Sequence, residues 1–235
     1  MDETRIRYLR TMGITPWVAR AAPASDPGAR EAPSEAPSAP ADPDDGAIAL
    51  MDWAALEATV RGCRRCPLHE SRTQAVFGVG HQAADWLIVG EAPGEEEDRR
   101  GEPFVGRAGH LLDAMLAALG LSRQTAYIAN VLKCRPPGNR DPHLDEAACC
   151  APYLDRQIAL LAPRLILAVG RVAAQRLLAT DAPVGRMRTR VHRYGPQQIP
   201  MVVTYHPAYL LRRPSEKGKV WRDLLLARRE LGGSA

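Results

Sequence analysis

Apolar residues recur at two periods along this chain. In HLLDAMLAALG (His110–Gly120), Leu111, Leu112, Met115, Leu116 and Leu119 follow helical spacing, and Gly120 supplies a stop. GKVWRDLLLARREL (218–231) reads as a closing helix. WLIVG (Trp86–Gly90) is instead a short unbroken apolar run ending in glycine, the mark of a buried strand. AYIANVL (126–132), RLILAVG (164–170) and MVVTY (201–205) repeat that form. Between them lie LDEAACCAPYLDRQIALLA, a helix that Pro152 must kink or restart, and a shorter helix over Val172–Leu178. Asp52 is placed to cap a helix over Trp53–Arg61. Strands alternating with helices predict an α/β fold, with a mainly parallel four-stranded sheet covered on both faces. In such sheets function sits beyond the carboxyl ends of the strands. The places to look are the loops after Gly90, Asn130, Gly170 and Tyr205.

The N-terminal fifth reads differently. Residues 21–46 hold six prolines and eight alanines in 26 residues, which cannot build a packed core, so a disordered linker is expected there. Before it, within residues 1–20, Asp2–Met12 can form a short amphipathic helix, too short to be stable alone. That segment is expected to stay disordered or dock on the main domain, with contact to a partner protein as the alternative. The folded domain is expected over 51–235. No run of about 18 apolar residues suggests a membrane span. The charged start MDETRIRYLR has no secretory pattern, so a cytoplasmic monomer is expected.

Charge is uneven. Residues 1–50 carry net −3, while residues 186–235 carry net +8. A basic face of this size suits a polyanion, although a solvated surface has the same composition.

Five cysteines in a chain without an export signal argue against a disulfide framework. Cys63-x2-Cys66 is half of a four-ligand site, and Cys134 and Cys150 are placed to complete it. Four thiolates without histidine suit structural zinc or an iron–sulfur cluster; buried unliganded thiols are the alternative. Only the first pair forms a knuckle, which leans toward a cluster. Cys149 reads as a spare, because adjacent helical residues point about 100° apart.

GEAPGEEEDRRGEPFVGRAG follows the first strand. It lacks G-K-[ST] and is too acidic for a triphosphate cradle. Glu95–Asp98 suit a solvated helix start. Glu91, at the strand end, needs a further reason beside a basic face: stabilising a cation or holding a water. Phe104 is offered from a glycine-flanked loop, where it can stack on a flat ligand.

GEAPGEEED, GEPFVGRAG, YIANVLKCRPPGNR and HPAYLLRRP together resemble the family 4 uracil-DNA glycosylases, the iron–sulfur branch of their superfamily. The resemblance covers about Trp53 to Leu231. It implies a three-layer α/β/α fold and a [4Fe–4S] cluster on Cys63, Cys66, Cys134 and Cys150. A sister branch that traps uracil-DNA covalently has a GEQPG loop and a histidine-containing insertion. This chain has GEAPG and no such insertion, so it reads as a turnover enzyme.

The activity implied is excision of uracil from single- or double-stranded DNA after the base is flipped out of the stack. Phe104 then stacks on the ring, and the Asn130 amide pairs with uracil O4 and N3–H. His206 stabilises the charge that develops on O2. Glu91 places the water and supports the cationic sugar, with Glu97 as a second candidate. Leu210 and Leu211 are candidate wedges, Arg212 and Arg213 candidate phosphate contacts, and Arg135 and Arg140 further DNA contacts. The competing readings are a non-catalytic iron–sulfur or zinc DNA-binding protein on the same fold, and a zinc-bearing nucleotide-binding domain.

Overall fold

A computed structural model gives the structure of the protein and describes residues 43–232. The expected helix over Asp2–Met12 and nearly all of the expected linker lie outside those residues. At the linker's end, the Asp44 carboxylate accepts from the Ala47 N–H at 2.7 Å and caps helix α1 (Asp45–Leu50), which buries Ile48. The folded unit therefore begins before Met51.

The other helices are α2 (Trp53–Gly62), α3 (Leu68–Ser71), α4 (Glu95–Arg100), α5 (Arg107–Ala118) and α6 (Leu144–Leu161). They continue with α7 (Arg171–Leu178), α8 (Val184–Met187), α9 (Pro207–Arg212) and α10 (Lys217–Glu230). Asp52 caps α2 as expected, accepting from Ala55 N at 2.8 Å. Pro152 lies inside α6, which runs through it as one helix rather than restarting.

The sheet has strands β1 (Val79–Gly80), β2 (Trp86–Gly90), β3 (Tyr127–Asn130), β4 (Leu165–Val169), β5 (Val191–Tyr194) and β6 (Ile199–Thr204). Their spatial order is β1-β3-β2-β4-β6-β5. The four parallel strands, β3, β2, β4 and β6, are the four expected. Antiparallel β1 and β5 close the edges and make the sheet six-stranded. Neither edge carries an apolar run: β1 has two residues, and VHRY is only partly buried.

Successive strand residues point to opposite faces, and both faces are apolar. Leu87, Val89, Ile166 and Ala168 share a core with Leu154 and Ile158 of α6 and Ala173 of α7. Ile88, Ile128, Leu167 and Val202 share another with Leu112 and Leu116 of α5 and Leu224 of α10. Burying both faces in this way makes the three-layer α/β/α sandwich. Among the described residues no helix is long and apolar enough to cross a membrane.

Candidate active site and thiol cavity

The carboxyl ends of β2, β3, β4 and β6 open into one cleft of about 830 Å³, where Glu91, Phe104, Asn130 and His206 meet. Each is held there by a different local device.

Phe104 has a left-handed backbone (φ +55°), unfavourable for a side chain by about 1–3 kcal/mol. Arg123 holds it there, donating to the carbonyls of Pro103 (2.9 Å) and Phe104 while Asp113 fixes the guanidinium at 2.7 Å. Gly109 of α5 permits the approach, since a Cβ there would lie 1.7 Å from the Phe104 carbonyl oxygen. The Phe104 ring then stacks beside His206, with centroids 5.5 Å apart.

Asn130 ends β3 and is 2% exposed. Its Oδ1 is buried and has no hydrogen-bond partner among the described residues, which leaves an open acceptor in the cleft. Gly90 lies against both groups. A Cβ there would come within 2.4 Å of Asn130 Oδ1 and 2.5 Å of Phe104 Cζ. Gly90→Ala is therefore expected to lower the uracil release that the resemblance implies by at least about a hundredfold, while destabilising by only about 1–3 kcal/mol, the range for overpacking. Steady-state release and thermal melting check this.

His206 caps α9: its Nδ1 accepts from Ala208 N at 3.1 Å. In the neutral ring the proton is then on Nε2. Burial, reinforced by Arg212 and opposed by Glu97, pushes the His206 pKa down to about 4. At neutral pH His206 is thus an uncharged N–H donor. Burial raises the pKa of Glu91, Asp141 adds to the rise, and Arg171 opposes it.

Glu97 does not fit the water-placing role. Its Oε1 accepts from Val105 N (2.9 Å) and Gly106 N (3.0 Å), and its Oε2 from Gly94 N (3.1 Å). It staples the Gly94 turn to the Phe104 loop. Asp98, expected to be solvated, is also turned inward and accepts from Thr73 N at 2.9 Å. Gly94 and Glu97 stand at capping-box spacing, the signal that was available in the sequence.

The candidate DNA contacts divide. Leu210 is 1% exposed and packed in the α5 face of the core, so it cannot wedge into DNA; amphipathic α9 turns Leu211 outward instead, 38% exposed. Leu211→Ala should slow excision from duplex several-fold and leave single strands nearly unaffected, because only the duplex must be unstacked. Equal losses on both substrates would remove the wedge. Arg212 and Arg213 are exposed, and Arg212 lines the cleft. Arg140 is already engaged by buried Glu146 at 2.8 and 2.5 Å, and Arg135 by Asn139 at 2.7 Å, so both brace their loop first. Arg171, at the start of α7, lines the cleft and pairs with Asp141. Sequence reading passed it over because a lone arginine after a strand carries no motif.

The thiols converge elsewhere. Cys63, Cys66, Cys134 and Cys150 line one cavity against α6, and Cys149 reaches it too, so both neighbours face the same space. N–H groups point at the sulfurs: Arg72 Nη1 to Cys134 Sγ at 2.8 Å, Lys133 N to Cys150 Sγ at 3.4 Å and Arg65 N to Cys63 Sγ at 3.5 Å. Arg65 and Tyr153 line the same wall, with the guanidinium 5.8 Å from the Tyr153 ring centroid. Burial pushes the Cys66 thiol up to about 11 and Cys150 to about 12. A metal must therefore displace protons to bind. The four thiols are the donor types of an anionic sulfur-ligated centre, while among the described residues no group of three or more His, Cys, Asp or Glu is already spaced to hold a metal ion.

The sequence has known relatives. The model of the uracil DNA glycosylase superfamily matches residues 77–225, and the chain belongs to that superfamily. Its relatives place it among the type-4 members. A type-4 uracil-DNA glycosylase of Pyrobaculum aerophilum is 41% identical over 182 residues, 75% of this chain and 93% of that protein. One from Archaeoglobus fulgidus is 45% identical over 162 residues, 66% of this chain and 81% of that protein. A third, from Sulfurisphaera tokodaii, is 42% identical over 167 residues, covering 68% and 76%.

Proposed function

We propose that the protein is a DNA-repair glycosylase that hydrolyses the bond between uracil and deoxyribose, leaving an abasic site. The observation that carries this reading is the buried, unpartnered Oδ1 of Asn130 beside an aromatic face and a neutral histidine donor. A flipped uracil satisfies it: N3–H donates to Oδ1, O4 accepts from Nδ2, and the ring lies on Phe104. As the N1–C1′ bond breaks, negative charge grows on O2, where the His206 Nε2–H donates. Glu91 faces the same cleft, able to hold the attacking water and support the positive sugar. Arg212, exposed at the cleft, supplies positive charge for the backbone phosphates. Crystals soaked with uracil test the geometry. Uracil is expected on Phe104, paired with Asn130; uracil bound elsewhere would overturn the reading.

The thiol cavity is read as the seat of a [4Fe–4S] cluster, held by Cys63, Cys66, Cys134 and Cys150. Cys63 and Cys66 of the α2–α3 connection, Cys134 beyond β3 and Cys150 of α6 would hold it, and their shared ligation would tie these three elements together. Alanine at any of the four ligands should remove iron and absorption near about 400 nm and lower the melting temperature. Cys149→Ala should leave iron unchanged. Iron analysis also separates this reading from zinc, and normal iron in Cys150→Ala together with loss in Cys149→Ala would reassign the ligand.

A further inference from the structure

Of the 31 basic side chains in this protein only three are lysines. Lys217 and Lys219 are exposed, while Lys133 is 1% exposed. A chain that otherwise uses arginine has placed the slimmer cation in its core. Lys133 Nζ donates to the Asn130 carbonyl at 2.9 Å and to Gln157 Oε1 at 2.6 Å. A guanidinium brings five donors to satisfy, and two acceptors are offered here. Gln157, on α6, is fixed in turn by donating to the Phe77 carbonyl at 3.0 Å. The backbone of Lys133 is anchored on both sides: its N–H meets Cys150 Sγ at 3.4 Å, and its carbonyl accepts from Val76 N at 2.7 Å.

Asn130 explains why such a grip matters. Its reading oxygen has no partner among the described residues, so no hydrogen bond at Oδ1 orients the amide. The peptide that carries the side chain must be held instead. The stretch from 130 to 134 carries the base reader, the ammonium and a thiol ligand in turn. We infer that Lys133 is a positioning residue for base reading: its ammonium pins the Asn130 carbonyl, and its backbone ties that grip to the wall of the thiol cavity. The positioning half stands on the uracil pocket alone. The tie to the cavity rests on the cluster proposed above, and by linkage it runs both ways.

The test is Lys133→Met in the iron-loaded protein, which keeps the apolar stem and removes the ammonium. Iron content is measured first. Affinity for free uracil should fall about tenfold or more, the scale of losing an outer hydrogen-bonding partner. Affinity for an oligonucleotide carrying a stable abasic analogue should stay within about twofold, since Lys133 meets no phosphate. A purely structural role would lower both together. Unchanged uracil affinity at full iron would overturn the positioning. If this variant does not fold, Gln157→Met removes the second acceptor and should weaken uracil binding a few-fold; no change there overturns the proposal equally. For the tie, iron release to a chelator is timed with and without saturating uracil. Uracil should slow release in the parent protein and not in Lys133→Met. No effect in the parent, or equal slowing in both, overturns the tie. A parent protein without iron would instead overturn the cluster reading and leave the uracil measurement to decide the positioning.

Discussion

Asn130→Asp is expected to lower uracil release about a thousandfold or more, the scale on which a polar-lined site rejects a mismatched partner. The parent amide offers one acceptor and one donor, which match N3–H and O4. An ionised carboxylate offers acceptors only. Uracil O4 would then face a negative oxygen in a pocket where Asn130 is 2% exposed and little water can intervene. Cytosine presents the opposite pattern, an amino donor at C4 and an acceptor at N3. A protonated Asp satisfies both, and burial raises its pKa in that direction. A faint release of cytosine is therefore expected, growing as pH falls. Release of each base from matched single-stranded oligonucleotides across a pH series checks it. Unchanged uracil release would mean that Asn130 does not read the base.

The second large effect belongs to His206. His206→Asn keeps a capping oxygen for Ala208 N but does not reach O2, and it should lower the maximal rate about 100- to 1,000-fold. Because desolvation holds the His206 pKa down to about 4, the parent's rate should show no step near 6.5. An acid limb should come from Glu91, whose pKa is raised by burial and by Asp141, and Asp141→Asn should move that limb to lower pH. Stability carries its own signature. The folded His206 resists a proton that the unfolded chain accepts from about 6.5 downward. Stability is therefore lost as pH falls from about 6.5 to about 4, by about 3 kcal/mol in total. This part of the slope should vanish in His206→Asn. Melting curves of both proteins over that range, with rate profiles beside them, measure it. A parent rate that follows a group near 6.5 would make the histidine a charged donor.

The elements that were legible in the sequence are those whose pattern is strong and local. WLIVG carries its burial on its face, and Asp52 announces the start of α2. The site loops were found because α/β sheets place them at strand ends. What escaped reading depends on contacts between distant residues. Nothing near Lys133 marks it as buried; only the approach of Gln157, 24 residues later, shows its role. Glu97 looks like one more solvated acid until the Phe104 loop folds back onto it. Leu210 and Leu211 are indistinguishable in composition, and the turn of a single short helix against α5 decides which is exposed. The edge strand VHRY pairs on one side only, so it needs no apolar run.

The central claim is that this cleft removes uracil from DNA. The direct measurement is the time course of abasic sites formed in an oligonucleotide with one uracil, using iron-loaded protein, with thymine and cytosine oligonucleotides alongside. The account predicts strand cleavage by alkali at the uracil position alone, lost in Asn130→Asp and in His206→Asn. Iron-loaded protein that leaves the uracil strand intact, or variants that release uracil as fast as the parent, would contradict it.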